Sequence, residues 1–157
     1  MPVLRPATVA DEAFLLALTP RLADFPLPPW RTAPEIAAAD HPILLGAVHR
    51  PTPETLILVA LDPPPIPAGY VFVTTHDDYF TKRPHAHVEI LAVTPAAAGR
   101  GIGRVLLEAA EAWAKERGYG AIGLNVFATN ERARAVYEHL GYGPETVHYW
   151  KVIGGGR

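Results

Sequence analysis

The sequence predicts an α/β domain with a mixed, mostly antiparallel sheet flanked by helices. Three observations carry this. "HVEILAV" (His87 to Val93), a helical stretch (Gly103 to Arg117) and "AIGLNVF" (Ala121 to Phe127) form a strand–helix–strand unit. Its crossover should be right-handed and its strands parallel. Two earlier apolar runs, "TLILVAL" and "YVFVTT", flank the stiff loop "DPPPIPAG", so they should pair antiparallel before that unit begins. The chain has 157 residues, 49% of them hydrophobic, which suffices for one core but not comfortably for two.

The elements follow in order. Val3 to Arg5 suits a short strand. Thr8 or Asp11 can cap a helix carrying Phe14, Leu15, Leu18 and Leu22. "DFPLPPWRT" breaks regularity, because prolines cannot sit inside a helix. A second helix is expected from about Thr32, with Pro34 tolerated in its first turn. Thr55 to Leu61 and Tyr70 to Thr75 are strands, and "HDDYFTKRPHA" is a polar loop. After His87 to Val93 and a glycine-rich turn comes the helix stopped by Gly118. Ala121 to Phe127 is a strand, Asn130 to Leu140 a helix ended by Gly141, and "YGPETVHYWKVI" one or two final strands. One domain over residues 1–153 is expected, with 154–157 a frayed tail.

Composition excludes several function classes. The chain has no cysteine, which removes disulfides, thiolate metal sites and a cysteine nucleophile. The formal net charge of −2 argues against a nucleic-acid partner held by a broad positive field. No apolar run reaches membrane-spanning length and the start lacks a signal-peptide pattern, so a cytoplasmic protein without a membrane partner is expected. A homodimer is left open.

Gly99, Gly101 and Gly103 stand directly before the helix, with Arg100 and Arg104 among them. Free N–H groups and the positive dipole end of a helix suit an anion, and glycines let it approach. The spacing fits neither a dinucleotide fingerprint nor a nucleoside-triphosphate loop.

The stretch "ILAVTPAAAGRGIGRVLLEAAEAWAKERG" closely resembles the acetyl-coenzyme A motif of the GNAT N-acetyltransferases. "NVFATNERARAVYEHLGY" resembles their second signature, and "LRPATVAD" matches their usual first strand and helix cap. The resemblance implies a sheet whose parallel pair splays at the cofactor site. It also implies acetyl transfer from acetyl-CoA, without a metal, to a primary amine of a small molecule or peptide, by direct attack in a ternary complex. A non-catalytic sensor of coenzyme A is the alternative. Residues Gly99, Arg100, Gly101, Ile102, Gly103 and Arg104 would cradle the pyrophosphate. One departure stands out: Ala98 occupies a position where the family has Arg or Gln.

The resemblance also assigns roles along the strand and the last helix. A bulge near Leu91, Ala92 and Val93 would free backbone donors for the acetyl carbonyl and the pantetheine arm. Tyr137 would be the acid that protonates the leaving thiolate; from helix spacing alone it is a core tyrosine. Ala133, Val136 and Leu140 form the expected core stripe, with Asn130 and Tyr137 on its edge. Asn130 would cap the helix and bond the pantetheine arm, and Ala133 would keep the approach clear. Glu89 is the candidate base, placed by strand alternation on the face of Leu91, and otherwise a structural carboxylate. His87 is the alternative base. His85 and His87 have the spacing of a metal pair but lack an evident third ligand. Substrate recognition falls to "DFPLPPWRT" and "HDDYFTKRPH", where Asp77 and Asp78 could attract a cation and Phe25, Trp30, Tyr79 and Phe80 could form an apolar wall.

Overall fold

The computed structural model of the chain describes residues 1–155. Residues 156 and 157 of the expected tail lie outside the described residues. The strands are β1 (Val3–Pro6), β2 (Leu56–Leu61), β3 (Pro67–Asp77), β4 (Pro84–Val93) and β5 (Ile122–Leu124). The helices are α1 (Glu12–Ala17), α2 (Ala33–Ala38), α3 (His41–His49), α4 (Ile102–Glu116) and α5 (Glu131–His139). One sheet holds all five strands in chain order; each neighbouring pair is antiparallel except β4–β5, which is parallel.

Two clusters of buried side chains cover the two faces of the sheet. On one, Ile102, Leu106, Leu107, Ala110 and Ala114 of α4 pack on Val71, Val73, Ala86 and Val88. On the other, Leu15, Leu18, Leu44 and Val48 of the α1–α3 region pack on Val59, Tyr70, Phe72, Ile90 and Ala92. Burial of this apolar surface is the main stabilising term, about 25 cal/mol per Å² removed from water. The amphipathic pattern of α4 explains its place, since its buried residues recur at helical spacing.

Several expectations are corrected. The helix expected from Thr32 is two short helices, α2 and α3, with a break at residues 39–40. Thr32 does open α2: its backbone N–H donates to Glu35 Oε1 and its side chain accepts from Glu35 N–H. The first helix ends at Ala17, ahead of Pro20, and a 3-10 turn over Thr19–Ala23 carries Leu22. Much of the expected loop after Thr75 is strand, because β3 and β4 form a long hairpin closed by residues 78–83. Asp78 makes that tight turn, accepting from Phe80 N–H, Thr81 N–H and the Thr81 hydroxyl. On α5, Val136 is half exposed while Ala133, Tyr137 and Leu140 face inward, so Tyr137 belongs to the inner stripe and Val136 does not. No strand forms in 142–153 among the described residues, and residues 143–153 are exposed throughout.

Candidate active site

The site begins with one extra residue. Ile90 pairs with Phe72 and Val88 with Val73, so Glu89 between them opposes nothing on β3: it is a β-bulge. Below it, Ala86 and Val88 lie on the α4 face. Above it, Ile90 and Ala92 lie on the α1–α3 face, with Leu91 and Val93 on the α4 face. The bulge therefore shifts the alternation by one residue.

The same shift re-aims the backbone. Ala86 N–H donates to Ala121 O, towards β5, while Thr94 N–H donates to Ala68 O, towards β3. Alternation from Thr94 turns Ala92 and Ile90 towards β3 and leaves the amides of Leu91 and Val93 facing the β5 side. The β4–β5 pairing stops at Val88 and Leu124. Leu91 and Val93 therefore present backbone groups to a gap where the parallel strands part. Ala92 differs from them: its side chain is in the core and its backbone pairs with Tyr70.

The N-terminus of α4 adjoins this gap, since a Cβ on Gly103 would lie 3.8 Å from Val93 Cγ2 and 3.9 Å from Leu91 Cδ2. Gly99 and Gly101 have φ of +78° and +79°, the left-handed region that favours glycine. The first intrahelical bond there is Val105 N–H to Gly101 O. The N–H groups of Gly101, Ile102, Gly103 and Arg104 thus project from the helix start, which suits a phosphate. Arg100 forms an ion pair with Asp62, and Arg104 with Glu108 at 2.8 Å. Both arginines are substantially exposed and would exchange these partners for an anion at little cost.

Tyr137 approaches from the α4 side, packed at the edge of that core and edge-on to Tyr142 at 6.0 Å. Burial raises its pKa, so the hydroxyl keeps its proton at neutral pH. The Tyr142 hydroxyl donates to Glu111 Oε1 at 2.9 Å, which fixes the neighbouring ring. Asn130 caps α5, its Oδ1 accepting from Ala133 N–H. A cleft of about 440 Å³ opens beside it, lined by Asp24, Phe25, Pro26, Thr129, Asn130 and Arg132. Phe25 packs on Phe127 with ring centroids 5.4 Å apart, forming part of an apolar wall. Tyr79 and Phe80 lie at the exposed tip of the β3–β4 hairpin.

Glu89 lies on the other face. Its Oε1 accepts from the Thr74 hydroxyl at 2.6 Å and bonds His76 Nε2 at 2.8 Å. Thr74 and His76 continue the row of Tyr70 and Phe72 along β3. Glu89 is therefore opposite to Leu91, not on its face; the bulge overturns the simple alternation. His87 stacks on His76 with centroids 4.5 Å apart, and burial is the main reason its pKa is lowered. Asp40, half-buried in the α2–α3 break, has its carboxyl pushed up first by burial and then by Glu89. Among the described residues no group of three or more His, Asp or Glu side chains is placed to hold a metal.

Two residues of the site escaped sequence reasoning. His76 would have emerged from period-two spacing had the strand been extended past Thr75. Arg21 carries no such signal: its Nε donates to Val93 O, a backbone partner 72 residues away, at 3.2 Å.

Residues 15–142 match the model of the acetyltransferase (GNAT) family. The chain belongs to the GNAT acetyltransferase family. The mycothiol acetyltransferase of Beutenbergia cavernae is 44% identical over 61 residues, 39% of this chain and 20% of that protein. The chain thus spans about a fifth of that relative's length. Aminoglycoside antibiotic 6'-N-acetyltransferase AAC(6')-Ih from Acinetobacter baumannii shares the GNAT fold with a TM-score of 0.72 at 19% identity, covering 99% of this chain and 100% of its own. AAC(6')-Iy, solved with the bisubstrate analogue CoA-S-monomethyl-acetylneamine, superposes with a TM-score of 0.70 at 17% identity, covering 98% of this chain and 99% of its own.

Proposed function

We propose that residues 1–153 form one acetyltransferase domain, working in the cytoplasm, that moves acetyl from acetyl-CoA to a primary amine of a small molecule or peptide by direct attack in a ternary complex. The observation that carries this is the gap between β4 and β5. It is bordered by the amides of Leu91 and Val93 and by the α4 N-terminus, with Tyr137 on one face of the sheet and Glu89 on the other. An acyl donor lying in such a gap meets an acid from one side and a base from the other.

Gly99 to Arg104 hold the pyrophosphate through backbone N–H groups, and Arg100 and Arg104 add charge. Asn130 bonds the pantetheine arm, beside the small Ala133. The amides of Leu91 and Val93 polarise the acetyl carbonyl, donors fixed before the reaction begins. Ala92 supports them from the core. Glu89 takes the proton that the amine loses as its nitrogen bonds the acetyl carbon. Tyr137 gives its hydroxyl proton to the sulfur as the carbon–sulfur bond breaks, and regains one from solvent. Bound acetyl-CoA supplies the activated acyl group.

A protein of the same fold is an aminoglycoside 6'-N-acetyltransferase, so kanamycin belongs in a panel with spermidine, glucosamine and an alanine-starting peptide. Release of free thiol from acetyl-CoA with one of these amines is the expected result. Ala98, which lacks the side chain that the resemblance leads one to expect, favours a second reading, the non-catalytic sensor. Tight coenzyme A binding with no turnover across the panel selects it.

A further inference from the structure

We infer that His76 is a positioning residue for Glu89, holding one carboxylate oxygen so that the other is aimed at the acceptor amine. This rests on the reading of Glu89 as the base. Both hydrogen bonds to the carboxylate fall on Oε1, from Thr74 Oγ1 at 2.6 Å and His76 Nε2 at 2.8 Å. Among the described residues Oε2 has no hydrogen bond, and it is the oxygen that receives the amine proton. Two donors on one oxygen fix the carboxylate plane, which a single bond would leave free to turn. Alternation from Ala86 and Val88 puts Glu89 on the face where β3 presents Thr74 and His76, and the bulge puts Leu91 on the other.

The imidazole also links the carboxylate to water. The Glu89 side chain is 15% exposed and the His76 side chain 46%. His76 meets Oε1 through Nε2, the ring nitrogen that must carry the proton for a carboxylate oxygen to accept. The other titratable groups facing this pair are His85 and His87 on β4 and Asp40 from the α2–α3 break. His87, neutral through burial, stacks against the His76 ring and sets its plane.

The test uses the full chain, acetyl-CoA and whichever panel amine turns over fastest. His76→Leu is expected to lower kcat about 10- to 100-fold, the scale set by a misaligned catalytic group, with KM for acetyl-CoA unchanged. In His76→Gln, whose amide nitrogen can donate to the same oxygen, most of that loss is restored. Ring nitrogen NMR of the free protein gives a readout independent of turnover: His76 is expected in the Nε2–H tautomer, a preference that Glu89→Leu removes. Wild-type kcat in His76→Leu, or a His76 tautomer indifferent to Glu89→Leu, overturns the inference. Glu89→Gln separates the two levels. If it is as active as wild type, the base reading fails and takes this inference with it. If it is inactive while His76→Leu is normal, only the His76 inference fails.

Discussion

Asp11 is 6% exposed and takes a bidentate grip from Arg5, both contacts at 2.8 Å, plus Thr8 N–H. Its pKa is lowered, first by the hydrogen bond from Arg5. A depressed carboxylate stabilises the fold above its unfolded pKa of about 3.9, and the contribution disappears as pH falls through the folded value. Asp11→Asn should therefore lose roughly 1.5–3 kcal/mol in urea unfolding at pH 7, the scale of a hydrogen bond to a charged group. The gap from wild type should narrow as pH falls below about 3.9 and close only below the depressed folded value; a gap that does not narrow would assign the loss to packing. Tyr137 is the converse case. Tyr137→Phe keeps the ring against the core and removes only the hydroxyl. Turnover should fall roughly 10²–10⁴-fold while coenzyme A affinity, read by calorimetry, stays put. Near-normal turnover with chemistry rate-limiting would leave Tyr137 a packing residue.

Among the elements, α4 makes the sharpest test because its glycines differ. Gly101, at φ +79°, is left-handed, so Gly101→Ala should cost about 1–2 kcal/mol of stability whatever binds. Gly103 is already inside the helix and a methyl there meets only ordinary contacts. Gly103→Ala should leave the melting temperature equal or higher, yet weaken coenzyme A about tenfold, roughly 1.4 kcal/mol, by narrowing the approach beside Leu91 and Val93. Unchanged affinity would move the phosphate site away from this turn. The contrast between these glycines also shows what was legible in the sequence. The strand–helix–strand unit, the helix start and the Asn130 cap follow from local signals, apolar period and glycine placement, and α4 is displaced from its expected bounds by one residue at each end. The bulge at Glu89 follows from no local signal. It arises because two strands pair in a register fixed by the whole sheet, and it alone puts Glu89 and Leu91 on opposite faces. Strand length failed for a related reason: His76, Asp77 and His85 are polar, so they read as loop, yet backbone pairing carries the hairpin past the core.

At the scale of the whole molecule, the sheet is asymmetric in what holds it. β3 pairs along most of its length with both β2 and β4, whereas β5 makes three residue pairs with β4 and, among the described residues, pairs with no strand on its far side. The segment beyond it, 143–153, holds Val147, Tyr149, Val152 and Ile153 in water, each at least 43% exposed. Its contacts are side-chain ones: the Arg31 guanidinium lies 4.6 Å from the Trp150 ring centroid and His148 packs on the same ring. A cation–π contact at an exposed site contributes about 0.5–1 kcal/mol, too little to protect the ten amides of 143–153, where Pro144 has none. Protection against exchange requires a hydrogen-bonded amide and a costly opening. Hydrogen exchange read by mass spectrometry should therefore show 143–153 exchanging at nearly the unprotected rate. Peptides covering Val71 to Val73 and Ile90 should stay protected until much of the sheet opens. Should 143–153 prove as protected as β3 and β4, the apolar, β-branched run "TVHYWKVI" must be paired in solution. The unpaired edge of β5, on this chain or on a second copy, is then where it pairs.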